Sequence, residues 1–413
     1  MLKAESYKMA KIIPFKAVRP TSDKVSLVTS RSYDEYSSAE LASQLDFNPF
    51  SFLHILNPIY ANQQKVGLEK RFKLVSQKYK EFKNDAVFLQ ETNPVFYIYE
   101  IQTKNQNFTG IIAGTSIADY KENIIKKHED TLQYRVEVFK DYLHQTGFNT
   151  EPVLMTYKDD SELNSWINFK KNQPRIYEFS TKKKEKHLLW KIEHQPEIEY
   201  IQNKFEEIGN LYIADGHHRT ASAELLFDKD KKSNNDNLNY FMSYLIPESS
   251  VKIYEFNRII RDLNNHSKSE FLAILLPLFW IKNKEQEIWK PTKKFEFGMY
   301  LDNEFYSLTL KDTNNFNTSL DSLDAQILYQ KILLPILGIT DLRNDERIDY
   351  IPGNQSITTI KEVIDEGEFE VGFMLYPSDI LEIKALADNG LIMPPKSTYI
   401  EPKFRSGLLV YEL

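Results

Sequence analysis

Cysteine is absent from the 413 residues of this sequence. Disulfides, cysteine nucleophiles and thiolate metal sites are therefore excluded, and the composition fits a reducing compartment. No run of about 18 apolar residues occurs, so we expect neither a membrane-spanning helix nor a membrane partner. The N-terminal residues also lack the apolar stretch of a secretory signal. From these absences we expect a cytoplasmic protein.

An excess of positive charge is also missing, because the formal net charge is −7. Proteins that bind duplex nucleic acid carry a basic surface, so nucleic acid is not an expected partner. Glycine is scarce, with 13 residues. This makes the glycines beside polar motifs, Gly114, Gly216 and Gly353, more informative. At this length we expect two lobes, or one core with large insertions.

Hydrophobic patterning predicts strands and helices that come from distant parts of the chain, and hence an α+β protein with mixed sheets. The segment 295–310 predicts a hairpin with Asp302 and Asn303 in its turn. The charged run at 182–186, KKKEK, is interpreted as a solvated turn rather than a binding patch. The other predicted strands are 94–102, 108–117, 152–157, 211–215, 241–247 and 370–376, and the predicted helices include 36–45, 61–82 and 324–337.

Residues 124–147 contain apolar side chains at helical spacing. Asp130 or Thr131 can cap the start of this helix, and Gly147 is a plausible C-cap.

The stretch IADGHHR, residues 213–219, predicts a strand that ends at Asp215 and a helix that starts shortly after Gly216. Free backbone N–H groups and the positive end of the helix dipole lie at such a junction. Arg219 adds a bidentate fork for phosphate or carboxylate, and His217 and His218 can donate to phosphate oxygens. Asp215 could hold a metal, a ribose hydroxyl or a histidine. The stretch therefore predicts a phosphate or nucleotide site.

Two other interpretations of the same stretch stay open. A zinc site is disfavoured, because adjacent histidines do not have the i, i+4 spacing of helical metal ligands and no third ligand is obvious. In the second interpretation the histidines and the arginine only cap the start of the helix.

The segment KKHEDT, residues 126–131, also precedes a helix. Glu129 is interpreted as a general base, with His128 as its orienting residue or as a substrate contact. The alternative is that Glu129 is an acid favoured by the helix dipole.

A third polar segment, IMPPKSTYIEPKF, spans residues 392–404. Lys396, Ser397 and Thr398 offer an ammonium and two hydroxyls, which are good donors to phosphate. The glycines of a P-loop are missing, so this is not a P-loop. A rigid surface loop is the alternative interpretation.

Taken together, these motifs resemble the family of proteins of unknown function called DUF1015, over nearly the full length. The family usually has Pro-Tyr-Asp-Val where this chain has Ser32-Tyr33-Asp34-Glu35, and Tyr33 and Asp34 are candidate substrate-binding residues in that motif. The resemblance includes PFKAVRP at 14–20, RSYDEYS at 31–37, NPFSFLHILNP at 48–58, the His-Glu pair at 128–129, IADGHHR at 213–219, DLRNDERIDYIPG at 341–353 and MPPKSTYIEPKF at 393–404.

The chain also resembles, more distantly, the ADP-dependent free serine kinases, which have the ParB/sulfiredoxin-like fold. The matching segments are His128-Glu129, Asp215 to Arg219 and Pro395 to Thr398. The resemblance implies a ParB/sulfiredoxin-like nucleotide-binding core with large insertions. It further implies phosphoryl transfer from ATP or ADP, with Mg²⁺, to the hydroxyl of a small, serine-like metabolite.

By the same resemblance, Glu129 takes the proton of the acceptor hydroxyl. Asp215, Gly216, His217, His218 and Arg219 hold the nucleotide phosphates. The remaining predicted residues, Lys396, Ser397 and Thr398, hold the acceptor.

Four segments are predicted from these motifs: 1–93 packed on the core, 94–259 as the core with an insertion near 158–205, an inserted subdomain at 260–340, and 341–413, which completes the site. The alternative function is a ParB-like nucleotide-binding regulatory protein without phosphotransfer. A sulfiredoxin-like repair enzyme is excluded, because its chemistry needs a cysteine.

Overall fold

The structure is a computed structural model that describes residues 9–60, 66–231 and 234–413. The chain divides into two compact units. The first unit comprises Met1–Lys126, Thr131–Val251 and Pro402–Leu413, and the second comprises Lys127–Asp130 and Lys252–Glu401. This division is coarser than the four segments predicted from the sequence, which stay a prediction.

The strands are short, and most belong to two sheets. Their bounds are β1 Ile12–Ile13, β2 Val18–Pro20, β3 Phe88–Gln90, β4 Phe96–Gln102, β5 Asn107–Ser116, β6 Ile125–Lys126, β7 Phe148–Asn149, β8 Val153–Tyr157, β9 Tyr177–Ser180, β10 Lys186–Ile192, β11 Leu211–Asp215, β12 Tyr240–Pro247, β13 Lys252–Ile260, β14 Phe279–Glu285, β15 Glu296–Leu301, β16 Glu304–Leu310, β17 Ile348–Pro352, β18 Val371–Met374, β19 Thr398–Glu401 and β20 Tyr411–Glu412.

The helices range from single turns to several turns. Their bounds are α1 Val25–Val28, α2 Ser38–Phe47, α3 Leu53–Leu56, α4 Leu68–Asn84, α5 Ile117–Lys121, α6 Gln133–Thr146, α7 Ser161–Lys170, α8 Gln195–Ile208, α9 His217–Lys229, α10 Lys268–Leu275, α11 Asp324–Leu328, α12 Ile357–Asp365 and α13 Ile380–Asp388. In the part of the chain that the structure describes, no helix combines the length and apolar character needed to cross a membrane.

The first unit is built on a sheet with the strand order β6-β11-β8-β12-β5-β4-β10-β9, to which β1 adds by pairing with β5. The pairs β11–β6 and β12–β8 are parallel, and the other pairs are antiparallel. Strand β4 is buried along nearly all of its length, which explains its largely apolar and aromatic sequence, FYIYEIQ. The predicted strands 94–102 and 108–117 are confirmed as β4 and β5, which pair with each other in antiparallel orientation.

The second unit contains an antiparallel sheet with the order β14-β16-β15-β18-β13-β17. The first half of β13 pairs with β19 instead. The predicted hairpin is β15–β16, and its turn residues Asp302 and Asn303 have φ angles of 49° and 62°. Two left-handed residues in succession define a type I′ turn, which matches the twist of the strands. The fold class, α+β with mixed sheets, is confirmed.

Two predicted helices differ from the structure in detail. The helix predicted at 61–82 begins at Leu68, and residues 61–65 lie outside the described residues. The helix predicted at 324–337 is α-helical only to Leu328 and continues as a π-helix over Tyr329–Leu333. Pro335 explains this change, because proline has no N–H and its ring clashes with the carbonyl four residues earlier.

The cap predicted for α6 is wrong. The helix begins at Gln133 with Leu132 as its N-cap residue, and no side chain of the cap position completes it. Neither Asp130 nor Thr131 caps the helix, although Gly147 ends it as predicted, with a φ of 76°.

Candidate functional site

The junction between β11 and α9 has the predicted form. A register shift between Ile213 and Asp215 marks a bulge at the end of β11. Gly216 follows with a φ of +105°, and α9 starts at His217. A Cβ atom on Gly216 would lie 2.9 Å from Nε of Arg219. Gly216 is therefore required both by its backbone conformation and by the guanidinium that packs against it.

Asp215 is held between two cations of the first unit. Its Oδ2 accepts a hydrogen bond from Nη2 of Arg219 at 2.8 Å, and its Oδ1 accepts one from Nζ of Lys403 at 3.2 Å. Burial acts to raise the pKa of this carboxyl, but Lys403 and Arg219 outweigh it and lower the pKa to about 2. Asp215 is therefore ionised at neutral pH and fixes the positions of both cations.

Glu151 connects Arg219 to a second motif. Its Oε2 accepts a hydrogen bond from Nη1 of Arg219 at 3.4 Å, and its Oε1 accepts from Oγ of Ser406 at 2.7 Å and from Oγ of Ser32 at 3.3 Å. Within the first unit, the motifs at 31–37 and 213–219 thus meet on one carboxylate.

Sequence reasoning missed Glu151, Lys403 and Ser406. Lys403 lies inside the quoted segment 393–404, so charge chemistry applied to the whole motif could have found it. Glu151 stands two residues before the strand β8 without a motif of its own, and no local signal marks it.

His218 has a structural contact within the first unit. Its Nε2 accepts a hydrogen bond from the backbone N–H of Leu132 at 3.1 Å. An accepting Nε2 places the ring proton on Nδ1. This contact supports part of the capping interpretation, since His218 serves the start of α6. His217 is buried at the start of α9.

The His-Glu pair belongs to the second unit. The backbone carbonyl of His128 accepts a hydrogen bond from the N–H of Met393 at 2.9 Å. Arg343 donates to the carbonyl of Asp130 at 3.4 Å. His128 is fully buried and Glu129 is half-buried. Three motifs, at 128–129, 341–353 and 393–404, thus adjoin within this unit.

Lys396 lies in a turn that the structure holds in an unusual backbone conformation. Its φ is 55°, and its Nζ lies 5.1 Å from the ring centroid of Phe256. Oγ of Ser397 donates to the carbonyl of Pro394 at 2.7 Å, so its single proton is not available to a phosphate in this conformation. Ser397 and Thr398 are both buried, and Thr398 is the first residue of β19.

Arg258 on β13 supports this turn from below the surface. It is 1% exposed, and Nη2 donates to the carbonyl of Lys396 at 3.2 Å, while Nη1 donates to the carbonyl of Phe256. Burial lowers the pKa of this guanidinium to about 10. Because Arg258 stays charged at neutral pH, it stabilises the carbonyl of a residue with a positive φ.

The predicted substrate-binding residues Tyr33 and Asp34 lie in a short 3-10 helix, Tyr33–Glu35. The Tyr33 hydroxyl accepts a hydrogen bond from Nδ2 of Asn57 at 3.4 Å. The side chain of Asp34 lies outside the described part of the structure, and its role stays a prediction.

This chain, a mixed α+β protein with an Asp-Gly-His-His-Arg junction, matches a known family model. A model described as "Protein of unknown function (DUF1015)" matches residues 12–326. Because the match covers more than half of the chain, this protein belongs to the DUF1015 family. The motifs at 341–353 and 393–404 lie beyond the matched residues. A comparison with curated proteins gives no match.

Among solved structures, the chain is distantly similar to a free serine kinase in complex with AMP, with 13% identity, 72% of this chain and 91% of that chain covered, and a TM-score of 0.37. It is also similar to SbnI with a C-terminal truncation from Staphylococcus aureus, with 13% identity, coverage of 72% and 85%, and a TM-score of 0.39. A conserved hypothetical protein from Pyrococcus furiosus is also similar, with 12% identity, 72% of this chain and 95% of that chain covered, and a TM-score of 0.35.

Proposed function

We propose that this protein is a nucleotide-dependent phosphotransferase that acts on the hydroxyl of a small free metabolite. The observation that carries the proposal is the arrangement of Asp215, Arg219 and Lys403 at the start of α9. Phosphoryl transfer depends on positioned cations more than on covalent chemistry. Two cations fixed by one carboxylate, at the positive end of a helix dipole, suit the phosphates of ATP or ADP.

Each residue of this junction has a role in the proposal. Arg219 offers its guanidinium to phosphate oxygens, and Asp215 and Glu151 hold that guanidinium in position. His217 and His218, the first two residues of α9, are the further candidates for contact with the phosphates.

Mg²⁺ would offset the charge of the bridging phosphate oxygens. The residues present suit an ion that is held mainly by the nucleotide, because both oxygens of Asp215 already accept hydrogen bonds from cationic side chains. In this proposal Asp215 is first an orienting residue for Arg219 and Lys403.

The acceptor chemistry is assigned to residues of the second unit. Glu129 takes the proton from the acceptor hydroxyl, and His128 is fixed beside it through the hydrogen bond of its carbonyl to Met393. A carboxylate that is half-buried is suited to act as a general base. Lys396 and Thr398 bind the acceptor, with Tyr33 and Asp34 as further candidates, while Ser397 shapes the turn. A serine-like acceptor is favoured.

Mass spectrometry tests this function. The protein is incubated with ATP or ADP, Mg²⁺ and a pool of small hydroxyl metabolites that includes serine, glycerate and ethanolamine. We expect at least one metabolite to gain the mass of a phosphoryl group, with matching consumption of nucleotide. If no metabolite gains phosphate with either nucleotide, the proposal fails.

One observation favours a second candidate, a nucleotide-binding regulatory protein. Arg219 and Lys403 are both ion-paired to Asp215, so a nucleotide would have to compete for these cations. Such an exchange of ion pairs is a switch in its own right. This candidate differs from the first in that nucleotide binds and no phosphate reaches any acceptor.

A further inference from the structure

Glu255 on β13 is a buried carboxylate without a partner in the described residues. The residue is 8% exposed. Within residues 9–60, 66–231 and 234–413, no hydrogen bond or ion pair joins its side chain to another residue, and Arg258 is an electrostatic neighbour. Buried carboxylates of the first unit differ: Glu91 accepts from Nε of Arg19 at 2.6 Å, and Glu100 accepts from Oγ1 of Thr109 at 2.8 Å. Among the described residues, the oxygens of Glu255 are not part of the fully buried side-chain atoms that lack a hydrogen-bond partner, so they are open to water or to a ligand.

Arg258, a cation on the same strand, does not form an ion pair with Glu255. Arg258 lies three residues further along β13, and attraction to Glu255 acts against the lowering of the Arg258 pKa by burial. The two side chains form no ion pair, however, and Arg258 donates to the carbonyls of Phe256 and Lys396 instead. The Glu255 carboxylate therefore remains available for another positive group.

Space for this carboxylate is kept by a glycine of the motif at 341–353. A Cβ atom on Gly353 would lie 2.3 Å from the carboxyl carbon of Glu255. The N–H of Gly353 also donates to the backbone carbonyl of Glu255 at 2.8 Å. Any side chain at position 353 would displace the carboxylate, so the packing at Gly353 fixes where Glu255 points.

A predicted acceptor-binding residue lies directly opposite. Glu255 is paired in register with Thr398 across the antiparallel strands β13 and β19. Residues opposite each other in such a pair project to the same face, with Cβ atoms about 5 Å apart. One face of this strand pair therefore carries a carboxylate without a partner and a hydroxyl from the segment assigned to the acceptor.

We propose that Glu255 is a substrate-binding residue whose carboxylate accepts hydrogen bonds from the ammonium group of an amino alcohol. The assignment of this ligand as the phosphoryl acceptor rests on the proposed phosphotransferase function. A divalent cation is a poorer fit, since Mg²⁺ needs about six oxygen ligands. Among the described residues, Glu255 belongs to no group of three or more His, Asp or Glu side chains that could hold a metal ion. An ammonium needs only a few acceptors, and Glu255 with Thr398 supplies them.

The test compares serine with glycerate, which differ only in an ammonium against a hydroxyl, by calorimetric titration of the full-length protein. We expect serine to bind roughly 10- to 100-fold more tightly than glycerate, because a hydrogen bond to a charged group is lost with glycerate. Glu255→Gln should remove this preference and leave the Kd of glycerate unchanged. The matched control, Glu368→Gln, changes an exposed glutamate of the same unit that pairs with Arg261, and it should keep the preference.

Two results would overturn the inference. The first is that the wild-type protein shows no preference for serine over glycerate, or no saturable binding of serine at all. The second is that Glu255→Gln binds serine with an unchanged Kd. If the Gln variant does not fold, Glu255→Asp replaces it and should weaken serine binding while keeping some preference over glycerate. Phosphate transfer is measured separately. Serine binding that depends on Glu255 without any transfer would retain this inference and remove the phosphotransferase proposal.

Discussion

Asp215 in the first unit and Asp324 in the second unit both lie where burial acts to raise the pKa of a carboxyl, yet the results are opposite. Lys403 and Arg219 hold the pKa of Asp215 at about 2. Asp324 accepts one hydrogen bond, from the N–H of Phe295 at 3.0 Å, while its Oδ2 is buried with no partner in the described residues.

The pKa of Asp324 is raised to about 7, mainly by burial. The ammonium of Lys294 opposes this shift, but Lys294 is also paired with Glu382, and both Glu382 and Glu296 act to raise the pKa further. The comparison shows that burial raises the pKa of a carboxyl unless direct cationic partners outweigh it. A fully ion-paired aspartate is suited to position cations for an anionic ligand, whereas Asp324 is a titrating group in a core.

The largest expected effect concerns the stability of the second unit. The pKa of Asp324 is about 7 in the fold against 3.8 for the free group, so its protonated form stabilises the fold below about pH 4. That stability is lost as pH rises through about 7, and the difference corresponds to about 4 kcal/mol. Asp324→Asn should therefore be more stable than the wild type at pH 8, and its stability should vary less between pH 5 and 8.

Urea unfolding at pH 5, 6, 7 and 8 measures this effect. Glu366→Gln is the control, because Glu366 is an exposed carboxylate of the same unit, and it should keep the wild-type pH dependence. An unchanged pH slope in Asp324→Asn would mean that the contrast with Asp215 is wrong.

The next effect concerns the ion-paired side of the comparison. Arg219→Met removes one cation from Asp215 and the fork from the nucleotide phosphates, so we expect the Kd of ATP or ADP to rise roughly 10- to 100-fold. Arg219→Lys keeps the charge without the planar fork, and its Kd for the nucleotide should lie between those of the wild type and Arg219→Met. Calorimetric titration with Mg²⁺ measures the affinity. Arg135→Met, at an exposed position on α6, should bind ATP or ADP with the wild-type Kd. An unchanged Kd in Arg219→Met would show that the ion pair of Arg219 with Asp215 takes no part in nucleotide binding.

The smallest effect separates the capping role of His218 from its proposed role with phosphate. His218→Ala removes the acceptor for the Leu132 N–H at the start of α6, which should cost about 1 kcal/mol of unfolding free energy. His144→Ala, at a half-exposed histidine in the last turn of the same helix, should change stability by less than about 0.5 kcal/mol. Chemical denaturation without nucleotide measures the unfolding free energy of both variants. Equal losses of unfolding free energy in His218→Ala and His144→Ala would refute the capping role of His218.

Sequence patterns predicted the strands and turns that are determined by residues close to them in the chain. The hairpin turn at Asp302 and Asn303 and the strand before Gly216 depend on side-chain alternation and on turn residues, which the sequence displays directly. The start of α6 could not be predicted in this way, because its acceptor is His218, 86 residues further along the chain. The contact of Glu151 with Arg219 is likewise made across 68 residues, and no pattern around Glu151 indicates it.

The variant Glu129→Gln separates the proposed role of Glu129 in phosphate transfer from the proposed role of the Asp215 junction in nucleotide binding. Both nucleotide affinity and the rate of transfer are measured in this variant. The amide keeps the shape of the side chain but cannot take a proton. A positioned general base contributes about 10²- to 10⁴-fold to a rate. We predict that Glu129→Gln binds ATP or ADP with the wild-type Kd and transfers phosphate to the acceptor about 10³-fold more slowly. Transfer at the wild-type rate in this variant would contradict the assignment of Glu129 as the general base, which is central to the account.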